Sequence, residues 1–184
     1  TIVDTTALDL VALTAASFNV TAGGAVTDSG TLAITGATTI SASGQDVTLD
    51  EAASTFGTLS LTGANVAVTD AGATDLGAST VSGTLGITSA GSVTDSGTLA
   101  ITGATTISAS GQDITLDEAA STFGTLALTG ANVAVTDAGA TDLGASTVSG
   151  TLGITSAGAV TDSGTLAITG ATTISASGQD ITLD

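Results

Sequence analysis

The sequence predicts an all-β protein, a right-handed parallel β-helix or β-solenoid, and three observations lead to that prediction. A 67-residue unit recurs along the 184-residue chain, so that the phrase TLD ends at Asp50, Asp117 and Asp184. Apolar residues alternate with small polar residues in short bursts, which is the pattern of a strand with one buried face. Gly, Ser and Asp separate these bursts, as they do at turns. A fixed period of this kind is typical of repeat architectures.

The chain is predicted to form one solenoid array with four segments. Residues 1–23 are a divergent partial repeat, residues 24–90 and 91–157 are two full repeats, and residues 158–184 are a partial repeat. The last segment stops in the middle of a phrase that continues after Asp50 and Asp117. We therefore expect the array to be part of a longer chain.

Each repeat is expected to hold nine short strands, which fit three coils of three strands with about 22 residues per coil. The whole chain would then form about eight coils and a rod about 40 Å long. The repeat also divides into five units of about 13 residues, and that count would suit a flatter, two-sided solenoid. The residues predicted to face inward are Leu85, Ile87, Val93, Leu99, Ile101, Ile107, Ile114, Leu116, Leu126, Leu128, Val133, Val135, Leu143 and Val148. The three Phe residues, Phe18, Phe56 and Phe123, are predicted to fill wider corners of the interior.

The composition excludes several classes of function. The chain has no Lys, Arg or Cys and a formal charge of -17, and binding to nucleic acid or to anionic lipid depends on Lys and Arg. We therefore expect no nucleic-acid partner and no membrane insertion. A hydrophobic content of 42% is too high for a disordered acidic tail, so the chain is expected to fold.

The chain is not expected to be an enzyme. It lacks His, Cys, Lys and Arg, which leaves only Asp, Glu, Ser and Thr for catalysis. The pairs Asp50-Glu51 and Asp117-Glu118 would be the candidates for acid–base chemistry. Adjacent residues of a strand point to opposite faces, however, so such a pair does not converge on one substrate.

Calcium is the metal that the acidic turns favour, although no cofactor is expected to be required. The phrase DAGATD offers Asp70 and Asp75 in one repeat and Asp137 and Asp142 in the next, and calcium prefers carboxylate and carbonyl oxygens. The alternative is that Asp28, Asp46, Asp70 and Asp75 cap turns by accepting hydrogen bonds from their own backbone. The overall negative charge also predicts diffuse binding of divalent cations.

Threonine-rich flat faces raise ice binding as a minor alternative. That function needs a Thr array in every coil, whereas the TT pair recurs once per repeat, at Thr38, Thr105 and Thr172. The spacing of the TT pair therefore gives ice binding little support.

The phrases GTLAITGATTISASGQD and DEAASTFGTLALTGANVAVTDAGATDLG resemble the β-helical repeat regions of filamentous-haemagglutinin-like exoproteins and other giant bacterial surface adhesins. The resemblance covers the whole chain. It implies an extracellular or cell-surface bacterial protein that is rod-shaped and serves as the structural fibre or shaft of an adhesin or biofilm matrix. The open coil ends of such a rod are exposed sheet edges, so copies are expected to associate end to end into a filament, or laterally where divalent cations bridge neighbouring rods.

Overall fold

The computed structural model describes residues 1–184 and consists of short β-strands joined by turns and bends. Two sheets of twelve strands and one of two strands stack their strands in parallel. The chain passes from one large sheet to the other and back in each circuit. The prediction of an all-β solenoid is therefore confirmed.

Sheet 1 is one flat side of the solenoid, and sheet 2 is the other. The main path of sheet 1 is β1 (Ile2–Asp4), β4 (Phe18–Ala22), β7 (Thr38–Ser41), β9 (Thr58–Gly63), β11 (Thr74–Leu76), β14 (Val93–Asp95), β17 (Ile114–Leu116), β19 (Val133–Asp137), β22 (Leu152–Ser156) and β25 (Thr172–Ser175). The main path of sheet 2 is β2 (Leu8–Leu10), β5 (Val26–Asp28), β8 (Val47–Leu49), β10 (Val66–Asp70), β13 (Leu85–Ser89), β16 (Thr105–Ser108), β18 (Thr125–Gly130), β20 (Thr141–Leu143), β23 (Val160–Asp162) and β26 (Ile181–Thr182).

Six further strands form short ladders on the narrow sides of the solenoid. They are β3 (Leu13–Ala15), β6 (Leu32–Ile34), β12 (Ser79–Val81), β15 (Leu99–Ile101), β21 (Ser146–Val148) and β24 (Leu166–Ile168). These third strands occur in only some of the coils, and each has three residues.

A coil holds about 19 residues, because Val66 aligns with Leu85 in the coil above it and Val133 aligns with Leu152. Each large sheet has ten strands on its main path, so the chain forms ten coils and a rod about 45 Å long. The sequence predicted longer and fewer coils. The circuit is shorter because two sides are strands and the third is reduced to a short strand or a turn.

The 67-residue repeat spans three and a half coils. Leu61 lies in β9, the fourth strand along sheet 1, whereas its counterpart Leu128 lies in β18, the seventh strand along sheet 2. The third strands β12 and β21 likewise attach to opposite large sheets. Successive repeats are therefore related by a half turn about the rod axis, and only residues two repeats apart return to the same face.

The interior is one continuous apolar column. A single cluster of 38 buried residues runs through the array, so no coil boundary interrupts the core. It contains every residue that the alternation predicts to face inward. Phe18, Phe56 and Phe123 are also buried in it, as predicted. Burying a Val, Leu or Ile side chain contributes about 1.5 to 3 kcal/mol, so the column stabilises the rod without a wide globular core.

The SASGQD turn needs a glycine for its backbone geometry. Gly44 and Gly111 have φ values of 74° and 75°, in the left-handed region that favours glycine. The turn closes with the N–H of Gln45 donating to the carbonyl oxygen of Ala42 at 2.8 Å.

The structure contains no apolar helix of the length needed to span a membrane.

Candidate functional site

The outward-facing strand residues form vertical columns on each flat face. On sheet 2, one column consists of side-chain hydroxyls in five successive coils, since the Cα atoms of neighbouring members are aligned. The members of this threonine column are Thr69, Thr88, Ser108, Thr129 and Thr147. Neighbouring strands lie about 4.8 Å apart, so the hydroxyls repeat at that interval along the rod.

A second column runs beside the threonine column and consists mostly of small residues. Its members are Ala67, Gly86, Thr106 and Ala127, and we call it the small-residue column. It borders a shallow depression of about 180 Å³ at Gly86, lined also by Thr69, Thr88 and Asp50. The same depression of about 180 Å³ occurs on sheet 1 at Gly153, with Thr136, Thr155 and Asp117 in the corresponding positions.

Sequence reasoning missed these columns. Only the TT pair, which recurs once per repeat, was considered from the sequence, and hydroxyl residues contributed by different phrases were not considered. The threonine column instead takes one hydroxyl from each of several phrases, such as VAVT ending at Thr69 and LGIT ending at Thr88. The coil register that aligns these phrases was the missing information, and the alternation of apolar and hydroxyl residues was the only signal available.

The carboxylates are kept away from the flat faces. Only Asp9, Asp75 and Asp142 occupy outward positions within strands. The other acidic residues lie in the segments between strands or face inward at strand ends. The strands of the flat faces therefore carry few charges, and Asp50 and Asp117 border the depressions at Gly86 and Gly153 from the segments that follow strands β8 and β17.

Asp70 and Asp137 face the interior and are about 1% exposed. The Oδ1 atom of Asp70 accepts a hydrogen bond from the N–H of Gly72 at 2.8 Å, and its Oδ2 atom accepts one from Thr74 Oγ1 at 3.1 Å. Asp137 makes the same two contacts with Gly139 and Thr141 at 2.8 and 3.1 Å. Burial raises the pKa of both carboxyls, and the hydrogen bonds only partly offset it. The capping of its own turn that was predicted for Asp70 is therefore confirmed, and Asp137 makes the same contacts.

Asp75 and Asp142 lie on the outer face. Asp75 Oδ2 accepts hydrogen bonds from Thr58 Oγ1 in the coil below and from Ser96 Oγ in the coil above, both at 2.8 Å. The backbone capping predicted for Asp75 is therefore wrong, because stacked hydroxyls bind this carboxylate. Asp142 repeats these contacts with Thr125 and Ser163.

The four residues predicted to bind calcium are thus split between two environments in each repeat, since Asp70 faces inward and Asp75 faces outward. No group of three or more His, Cys, Asp or Glu side chains comes together in a way that could hold a metal ion. Calcium binding at Asp70, Asp75, Asp137 and Asp142 stays a prediction.

Asp28 and Asp46 were predicted to cap their own turns, and that prediction is wrong. Asp28 Oδ1 accepts a hydrogen bond from the backbone N–H of Asp50 at 2.8 Å, and Asp46 Oδ1 accepts from the N–H and Nδ2 of Asn65 at 3.1 and 2.9 Å. Both donors belong to the next coil, because stacking places that coil's backbone directly above the carboxylate. Burial raises the pKa of Asp28.

The comparisons with known proteins agree with this repeat architecture. The DUF5649 family, described as repeats of unknown function, matches residues 1–62, 63–129 and 130–184. The chain therefore belongs to this family of repeats. No curated protein and no solved structure gives a significant match.

Proposed function

We propose that the chain is a structural rod, the stiff shaft of an extracellular bacterial fibre or of a cell-surface adhesin. The observation that carries this proposal is the uninterrupted stacking of all ten coils. Each coil is hydrogen-bonded to the next, and one apolar column continues through them. Such a solenoid gains length in equal steps with each added repeat, since every repeat contacts only its neighbours.

The surface suits a passive structural element. Three of the four pockets have volumes of about 160 to 180 Å³, whereas binding clefts for drug-sized ligands span about 300 to 1,000 Å³ and are mostly apolar. The fourth pocket, of about 350 Å³, lies near the last coil and has no apolar lining, since it is formed by Asp162, Ser163, Gly164, Thr165 and Asp184. Uniform negative charge along the edges supports a rod that stays separate from other anionic surfaces. The resemblance to giant surface adhesins supports the extracellular location.

The proposed rod shape is tested by measuring how the length of the particle increases with the number of repeats. Chains with one, two and four full repeats are compared by small-angle X-ray scattering, and each added repeat is expected to lengthen the particle by about 17 Å at constant cross-section. A cross-section that widens with the number of repeats, or a flexible chain profile, would contradict the structural role.

The location is tested in a bacterium that carries the protein. Immunogold labelling with antibodies against the purified chain is expected to mark the surface of intact cells or fibres outside them, whether or not calcium is removed by a chelator. Label confined to the cytoplasm of sectioned cells would contradict the extracellular assignment. Fibres that dissociate on chelation would assign calcium a specific structural role at the acidic turns.

A further inference from the structure

We draw no further inference here: the strongest candidate, the apolar pocket of about 160 Å³ at the first coil, lined mainly by Ile2, Leu8, Leu10, Val11, Leu13 and Phe18, carries no proposal because nothing in the structure shows what covers it.

Discussion

The first full repeat, residues 24–90, and its copy, residues 91–157, have nearly the same sequence, but their equivalent residues lie on opposite sides of the rod. Their internal contacts are the same nevertheless. The N–H of Leu32 donates to Ser54 Oγ at 2.9 Å, and the N–H of Leu99 donates to Ser121 Oγ at 2.9 Å. The contacts of a residue therefore depend on its neighbours in the coils above and below it. They do not depend on the side of the rod on which the residue lies.

The few differences between the repeats are local. Asp95 Oδ2 accepts a hydrogen bond from the N–H of Glu118 at 3.4 Å, whereas Asp28 Oδ2 is buried without a partner. Burial raises the pKa of both carboxyls. The two repeats thus differ in single hydrogen bonds while their coil register is the same, since Thr27 aligns with Thr48 and Thr94 aligns with Thr115.

The largest expected effect comes from emptying the core at equivalent positions. Leu59 in sheet 1 and Leu126 in sheet 2 are both fully buried. Leu59→Ala and Leu126→Ala are each expected to lower the free energy of unfolding by about 2 to 5 kcal/mol. Urea denaturation of both variants should give equal losses. A loss at one site more than twice that at the other would show that the two sides are not equivalent.

Removing a buried hydrogen-bond acceptor is the next effect in size. Ser54→Ala and Ser121→Ala leave the N–H of Leu32 or Leu99 unpaired in the interior, at a cost of about 1 to 3 kcal/mol each. The two losses, measured by the same denaturation, should again agree. Ser82→Ala, at an exposed position, serves as the control and should change the free energy of unfolding by less than about 0.5 kcal/mol.

A stabilising change is expected at the two inward threonines. Thr38 and Thr105 have buried Oγ1 atoms without hydrogen-bond partners. Thr38→Val and Thr105→Val replace the hydroxyl with a methyl group of similar size and should each stabilise the rod by about 1 kcal/mol. Differential scanning calorimetry measures the shift. A lower melting temperature in either variant would indicate that the hydroxyl is bound in solution.

The smallest expected effect is a dependence of the melting temperature on pH, caused by two buried carboxyls. Because burial raises the pKa of Asp70 and Asp137 above the ordinary value of 3.8, the folded state binds their protons more tightly than the unfolded chain does. Their contribution to stability is present in full below about 3.8 and is lost as the pH rises through the folded-state pKa. The melting temperature should therefore increase on acidification from neutral pH.

Paired substitutions isolate this dependence. Asp70→Asn with Asp137→Asn should flatten the rise in melting temperature below neutral pH. The matched change at the outer face, Asp75→Asn with Asp142→Asn, should leave more of the rise in place. Equal slopes in the two double variants would assign the effect to net charge instead of to the buried carboxyls.

Much of the fold follows from the sequence because alternation assigns each apolar residue to one side of its strand. Leu99, Ile101 and Ile107 are buried as that pattern predicts. The number of coils per repeat does not follow, because 67 residues divide acceptably into three coils or into three and a half. Only the backbone register, which pairs Val66 with Leu85, decides between them.

The same missing register explains the errors at the candidate site. Asp28 was predicted to cap its own turn because the sequence shows only which residues are near it along the chain. Its hydrogen-bond donor, the N–H of Asp50, is 22 residues away. The threonine column was missed for the same reason. Both features depend on which phrases lie in adjacent coils.

The half-turn relation between repeats is tested most directly by distances between spin labels, since the chain has no natural Cys. Labels replace Thr21, Thr88 and Thr155, which are equivalent residues on sheets 1, 2 and 1. Pulsed electron–electron double resonance should give a distance of about 34 Å between the labels at positions 21 and 155, which lie seven coils apart. Three coils per repeat would place all three labels on one face, with about 29 Å between positions 21 and 155, and that result would contradict the account.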